Sequence, residues 1–276
     1  MNNMSKTKLN TLSVPTFRWL GVNFTERDIS KYETKTTAIT AAAGEQKSEV
    51  IFIESEGSGN MNIEVGNGGS VKLVQVFDVE GQAVSEVSAQ VADNGSFELV
   101  QLYLGGDVVS SINAELNGRK AYFSADLGYL LDSGDKLDIN LNADHKGRKT
   151  TSVINARGVL NGTASKVFKG TIDFKNGAVG AVGSENEEVL LMSDTAVNKT
   201  VPLILCAEED VEGSHGASIG RLDEGQVFYM QSRGISEDKI YELAAQAKLT
   251  QILARIDDAA ALRTIRAKLG RGEEDE

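Results

Sequence analysis

From about Ala38 to Leu205, apolar residues come in short runs that alternate with polar ones and stop at Gly or Asn. Val50-Ile51-Phe52-Ile53-Glu54, Met61-Asn62-Ile63-Glu64-Val65, Val71-Lys72-Leu73-Val74-Gln75-Val76 and Phe97-Glu98-Leu99-Val100-Gln101-Leu102 are of this kind. Leu137-Asp138-Ile139-Asn140-Leu141-Asn142 alternates strictly, which places its apolar side chains on one face of a pleated strand. The pattern predicts strand, turn, strand over most of the chain. After Ile235 the period changes. Ser236 is a helix cap with Glu237 and Asp238 in the first turn, and Ile240, Leu243, Ala247, Ile252 and Ile256 recur at helical spacing. Beyond Asp257-Asp258, Ala259, Leu262, Ile265 and Leu269 form a second amphipathic stretch, ended by Gly270.

The turns between the strands recur. Asn-Gly stands at 67–68, 94–95, 117–118, 161–162 and 176–177, with Lys146-Gly147 between the third and fourth. The intervals are uneven, and the last two are much shorter than the first three. Asn-Gly suits positive φ and marks tight turns. Two architectures fit: a sandwich of hairpins, or a β-solenoid whose coils stack one on the next. Residues 1–37 differ in character and form a separate N-terminal segment. Its Pro15-Thr16-Phe17-Arg18-Trp19-Leu20 carries the only Trp, expected to dock on the main body, with a partner contact as the alternative. The remaining divisions are a β core over 38–232, a helical segment over 233–270 and an acidic tail over 271–276.

Composition narrows the function. A net charge of −12 lacks the basic face that nucleic acid requires. No apolar run is long enough to span a bilayer, and the polar N-terminus, Met1 to Asn10, lacks a signal-peptide core. One cysteine, Cys206, excludes an internal disulfide, and the whole fits a cytoplasmic protein. There is no Gly-x-x-x-x-Gly-Lys-Ser/Thr loop for ATP, and two histidines in one chain do not make a multi-His zinc site.

The most specific stretch runs from Gly213-Ser214-His215-Gly216-Ala217-Ser218 through Arg221-Leu222-Asp223-Glu224 and Phe228-Tyr229 to Ser232-Arg233-Gly234-Ile235. It resembles the C-terminal signature of the SufB/SufD family, core proteins of the SUF iron–sulfur cluster assembly system. His145, Thr150-Thr151-Ser152, Phe168-Lys169-Gly170-Thr171-Ile172, Leu190-Leu191-Met192-Ser193-Asp194 and Thr200-Val201-Pro202 look like the family's upstream pattern. Before residue 100 only the general β character matches, and the long helical N-terminal domain of many members is missing.

The resemblance implies a mainly β fold, a right-handed parallel β-helix with a C-terminal helical segment. It implies a non-enzymatic scaffold subunit that pairs with a second copy or with a SufB-like chain. Such a scaffold docks SufC, an ABC-type ATPase, on the helices after Arg-Gly-Ile, and a transient iron–sulfur cluster forms near the interface. Arg233, Ile235, Ile240 and Leu243 are then the partner-binding residues. The plainer role for these helices is packing against the end of a solenoid.

His215 matches the histidine that SufD-type chains place at the interface, and imidazole is a good iron ligand. Glu187, well upstream of it, stands where SufB-type chains carry a cluster-associated cysteine. Carboxylate is a poorer partner for such a cluster, and the bland reading makes Glu187 and Glu188 solvated turn residues. Gly216, directly after the histidine, is the SufD-like form. Cys206, in Leu203-Ile204-Leu205-Cys206, is either a small buried hydrophobe or a sulfur acceptor and cluster ligand. His215, Cys206 and Glu187 are thus the candidate cluster residues. Two other functions compete. One is a structural or regulatory paralogue that only docks the ATPase. The other is a polysaccharide-acting enzyme recruiting Asp126, Asp132, Asp135 and Asp144.

Overall fold

A computed structural model of the chain describes residues 6–16 and 18–269, without the side chains of Asp238 and Tyr241. The expected helix end at Gly270 and the acidic tail lie outside the described residues. After a short antiparallel pair, β1 (Thr7–Leu9) with β2 (Thr25–Arg27), fourteen strands among the described residues alternate between two sheets. One sheet holds β3 (Thr34–Ala41), β5 (Gly57–Val65), β7 (Gln82–Val91), β9 (Asp107–Leu116), β11 (Lys136–His145), β13 (Ser165–Phe174) and β15 (Val197–Cys206). The other holds β4 (Gln46–Ile53), β6 (Ser70–Phe77), β8 (Ser96–Tyr103), β10 (Tyr122–Leu131), β12 (Thr151–Leu160), β14 (Ala181–Leu191) and β16 (Val211–Gly220). Every pairing within these two sheets is parallel, which rules out the sandwich of hairpins and makes the body a parallel β-solenoid of seven strand pairs.

Each residue lies on its counterpart one coil later. Thr34 pairs with Ser58, Asp107 with Lys136, and Ser165 with Val197, so the coils lengthen toward the C-terminal end. Inward positions therefore stack on inward positions. The lumen is filled by ladders of Val, Leu, Ile and Ala and by aromatic stacks, Phe77 on Tyr103 at 4.8 Å and Phe97 on Phe123 at 5.5 Å.

The coil explains the uneven turn spacing. The glycine pairs at 67–68, 94–95, 117–118, 146–147 and 176–177 all occupy the corner that leads from the first sheet to the second. Asn161-Gly162 sits at the other corner, between β12 and β13, so it divides one full coil into the two short intervals. Positive φ is only part of their use. Gly68, Gly162 and Gly177 have it (63°, 53°, 96°), but in the second pair Asn94 takes it (54°), and at the third and fourth corners Lys120 (58°) and Lys149 (55°) do. Gly118 and Gly147 serve close stacking instead: a Cβ on Gly118 would lie 2.1 Å from backbone at Ala92, and one on Gly147 would lie 2.1 Å from Gly118 O.

The outer faces are covered differently. Helices α1 (Glu224–Ser232), α2 (Glu237–Leu253) and α3 (Ala259–Leu269) follow β16, so helical structure begins before Arg233. Ser236 caps α2, accepting a hydrogen bond from Lys239 N at 3.3 Å. Leu249, Ile252, Ile256, Ala261 and Ile265 bury themselves on Val74, Val76, Val100 and Leu102, outward side chains in the second halves of β6 and β8. The helices thus lie along the flank of the second sheet rather than over an end of the solenoid.

The N-terminal segment crosses the outer face of the first sheet. Asn10 Nδ2 donates to Ser110 O and Asp138 O, buried Lys169 donates to Asn10 O, and Lys199 donates to Leu20 O. Leu12 and Val22 are buried there, but Trp19 is 80% exposed. The segment docks as expected; its Trp does not anchor it.

Gly147→Ala is expected to cost roughly 2 kcal/mol or more, because backbone rather than a movable side chain occupies the Cβ position. Urea denaturation followed by circular dichroism measures it, and a loss below about 0.5 kcal/mol would contradict the corner-stacking account.

Candidate functional site

The last coil leaves two free strand edges at one mouth of the solenoid, β15 and β16, and they are not equivalent. In β15, Val197 N donates to Ala164 O, and Ala207 N just beyond the strand donates to Phe174 O. The odd-numbered residues therefore turn toward β13, and the even-numbered ones face the free edge. Pro202 falls in the middle of that edge and has no N–H to offer. The β16 edge carries no proline, and its residues from Glu212 to Gly220 are all exposed.

His215 lies on this strand, in register with Glu185 of β14 and exposed. Cys206 ends β15, in register with Phe174 and, one coil further in, His145. It is exposed rather than buried, and its Sγ donates to Glu208 O at 3.3 Å. Only the turn 207–210 separates Cys206 from Val211, the start of β16. His215 lies further along that strand, about 13 Å from the corner. One chain therefore keeps the thiol and the imidazole apart.

Glu187 is not a solvated turn residue. It sits in the middle of β14, is 2% exposed and points into the lumen. Its Oε1 takes an ion pair from Lys166 Nζ and a hydrogen bond from the Tyr129 hydroxyl at 3.2 Å; its Oε2 accepts from the Thr200 hydroxyl at 2.5 Å. Lys166 is fully buried, 5.3 Å above the Tyr129 ring and 5.6 Å from that of Phe168. Burial pulls its ammonium pKa down, partly offset by Glu187. With both oxygens engaged, Glu187 is committed to an internal lock.

Two positions before it, Glu185 also faces inward at 2% exposure, lying on the Cα of Gly170, where a Cβ would come within 2.2 Å of its Oε2. Burial, and then the negative Glu187, push its carboxyl pKa up to about 8, so it holds a proton at neutral pH. His145 is buried as a neutral ring between Thr150 Oγ1 (2.7 Å) and Ser152 Oγ (2.8 Å), and burial lowers its pKa to about 4.

Among the described residues, no group of three or more His, Cys, Asp or Glu side chains is placed to hold a metal ion. His215, Cys206 and Glu187 do not converge. Three of the four aspartates of the enzyme reading are tied to structure: Asp126 accepts from Arg255 at 2.9 Å, Asp132 from Asn161 at 3.2 Å and Asp135 from Gly106 N at 2.8 Å. Of the docking residues, Ile240 is buried at 2% and presents nothing outward, and Ile235 is half-buried. Arg233 is exposed over the Tyr229 ring at 5.1 Å, and Leu243 is exposed. Beside Leu243 on α2, Phe228 (73% exposed) and Tyr229 on α1 are also exposed apolar side chains. Sequence reasoning passed over Lys166, Glu185, Tyr129 and Thr200. Their signal is parity: each charged residue takes an inward slot of a strand whose other inward slots are apolar or glycine.

The body is thus a parallel solenoid with His215 on a free edge and C-terminal helices along one flank. Residues 28–248 match the family model described as SUF system FeS cluster assembly, SufBD core domain, and the chain belongs to that family. It is 28% identical over 148 residues to the iron–sulfur cluster assembly protein SufD of Bacillus subtilis, covering 54% of this chain and 34% of that protein. To SufD of Escherichia coli it is 29% identical over 112 residues, 41% of this chain and 26% of the relative. To a chloroplastic SufBD family protein of Arabidopsis thaliana it is 28% identical over 110 residues, 40% and 20%. The chain thus matches about a third or less of the length of these relatives. No helix among the described residues is long and apolar enough to cross a membrane.

Two outcomes test the lumen chemistry. Glu185 keeps its proton between pH 4.5 and about 8 while the unfolded chain has lost it, so it lowers stability progressively as pH rises through that window. Thermal melts of Glu185→Gln should therefore exceed wild type by a margin that widens from pH 5 to pH 8, reaching roughly 2–4 kcal/mol; a constant margin would contradict a protonated Glu185. His145 works in the opposite sense, its stabilising effect fading as pH falls from 6.5 to about 4. Lys166→Met should cost ~3–5 kcal/mol, and adding Glu187→Leu should recover at least half of it by removing the stranded carboxylate. Equal losses in the single and double variants would show that the pair is not a lock.

Proposed function

We propose that the chain is a scaffold subunit of a SUF-type iron–sulfur cluster assembly complex. It pairs through the free β16 edge with a second copy or a SufB-like chain, and it docks a SufC-like ABC ATPase on the exposed side of α1 and α2. It has no catalytic residue of its own. The observation that carries the reading is the proline-free β16 edge bearing His215, followed along the chain by helices that expose Phe228, Tyr229 and Leu243. An edge of this length is a template for strand addition and calls for a partner. Pairing of two such mouths brings two His215 and two Cys206 near one another, which a single chain does not achieve. The nascent cluster is cargo at that junction, held with ligands from both chains.

The buried lock at Glu187 favours a second reading, in which this chain docks the ATPase and supports a partner that supplies the cluster thiols. Stable clusters take about four cysteine-type ligands, and this chain has one.

Co-expression with the SufC-like ATPase of the same source, followed by anaerobic iron and sulfide reconstitution, separates them. Wild type should co-purify with the ATPase, and Phe228→Asp with Leu243→Asp should lose it while the solenoid still folds. A labile cluster that His215→Ala or Cys206→Ser weakens at least several-fold supports the scaffold. A complex that never binds iron supports the second reading. No complex at all removes both.

A further inference from the structure

The opposite mouth of the solenoid holds a cavity of about 520 Å³, within the usual range for small-molecule sites. Its origin is in the sequence. The alternation of β5 brings Gly57 and Gly59 to the lumen, in register with Ala83 and Ser85 of β7. A Cβ on Gly57 would meet nothing within 4 Å, and one on Gly59 would meet only Lys35 O at 3.8 Å. The same two slots hold Ala83 and Ser85 in the next coil, Val108 and Ser110 in the one after, and large residues, Leu137 and Ile139, only at β11. The lining mixes apolar side chains, Ile51, Ile53, Met61 and Phe77, with charged ones, Lys31, Glu33, Lys35, Glu54 and Glu56.

The floor is polar and oriented. Gln75, 2% exposed, accepts from Gln101 Nε2 at 2.7 Å, and Gln101 in turn accepts from the Tyr103 hydroxyl at 2.6 Å. This chain of hydrogen bonds fixes which end of the Gln75 amide is used, and leaves its NH₂ with poor partners: the Met61 thioether at 3.2 Å and Ser85 Oγ at 3.4 Å. A carbonyl or carboxylate oxygen is a better acceptor than either. At the lip, Lys35 lies in register with Gly59. Two of the lining carboxylates are already paired, Glu56 with Lys31 and Tyr32 (3.1 and 2.8 Å) and Glu54 with Lys268 (2.7 Å).

We propose that this cavity binds a small monocarboxylate with an apolar tail, its head group on the Gln75 amide and Ser85 hydroxyl and its tail against Ile51, Ile53 and Met61. The ammonium of Lys35 favours the anion at the entrance. The cavity's lining residues belong to the first coils, at the end of both sheets opposite β15 and β16.

Calorimetric titration of the full chain with octanoate tests it, with octylamine as the cation of matching length. The decisive variants are Gly59→Val and Gly57→Val, which place a β-branched side chain in the cavity on extended strand backbone that accepts it. Saturable one-to-one binding of octanoate, no binding of octylamine, and at least a tenfold loss in the valine variants are expected, with melting temperature retained. Should one valine variant melt early, the other carries the comparison. Absence of saturable binding overturns the site, and so does binding unchanged in both variants. Equal binding of octylamine overturns the carboxylate class. Lys35→Ala should weaken octanoate by a few-fold and leave melting unchanged.

Discussion

Everything in this molecule follows from the ladder in which each residue hydrogen-bonds beside its own counterpart one coil away. The coils grow longer from the first to the last, but the corners absorb the difference and the strands keep register. An inward residue is therefore inward for structural reasons that its own chemistry cannot veto. That is how a lysine and two glutamates come to occupy a lumen built mainly from Val, Leu, Ile, Ala and aromatic rings. Once forced inside, they must neutralise one another or give up charge: Lys166 and Glu187 take the first course and Glu185 the second.

The two sheets show how the same solenoid surface is finished in opposite ways. The outward side of β6 and β8 is apolar over their second halves, so α2 and α3 are bound there by burial. The outward side of β11 and β13 is polar. The N-terminal segment is held there by Asn10, Asp138 and Lys169, a fully buried lysine at 2.7 Å from its carboxylate, and Asn10 Oδ1, Asn140 Oδ1 and Thr171 Oγ1 are left without a partner. The helical flank is a second core, whereas the segment rests on directed polar contacts that have to be in place together.

Much of this was legible in the residues. Strict alternation at 137–142 gave a strand, Ser236 a cap, and the glycine pairs a repeating corner. Periodicity alone left solenoid and sandwich open, because alternation reports which residues share a face and not which strand lies alongside. The resemblance around His215 decided for the solenoid. The exposure of Cys206 was hidden for a related reason: a residue of inward parity is buried only if another coil follows, and β15 is the last of its sheet. Glu187 was misplaced because acidic residues in Glu185-Asn186-Glu187-Glu188 look like a solvated turn. Only the third dimension reveals Lys166, a full strand away in the sequence, as its partner inside.

Pro202 has a consequence for how copies of this chain can meet. A solenoid with open ends invites the first coil of one molecule to continue the last coil of another, and such head-to-tail growth has no natural stop. Continuation requires both sheets to extend at once. At the β15 edge the central amide is replaced by a proline ring, so an incoming strand loses a ladder bond and meets a steric block at the midpoint of its length. One imino acid thus works against fibre formation, and it does so on β15 alone, since β16 carries no proline.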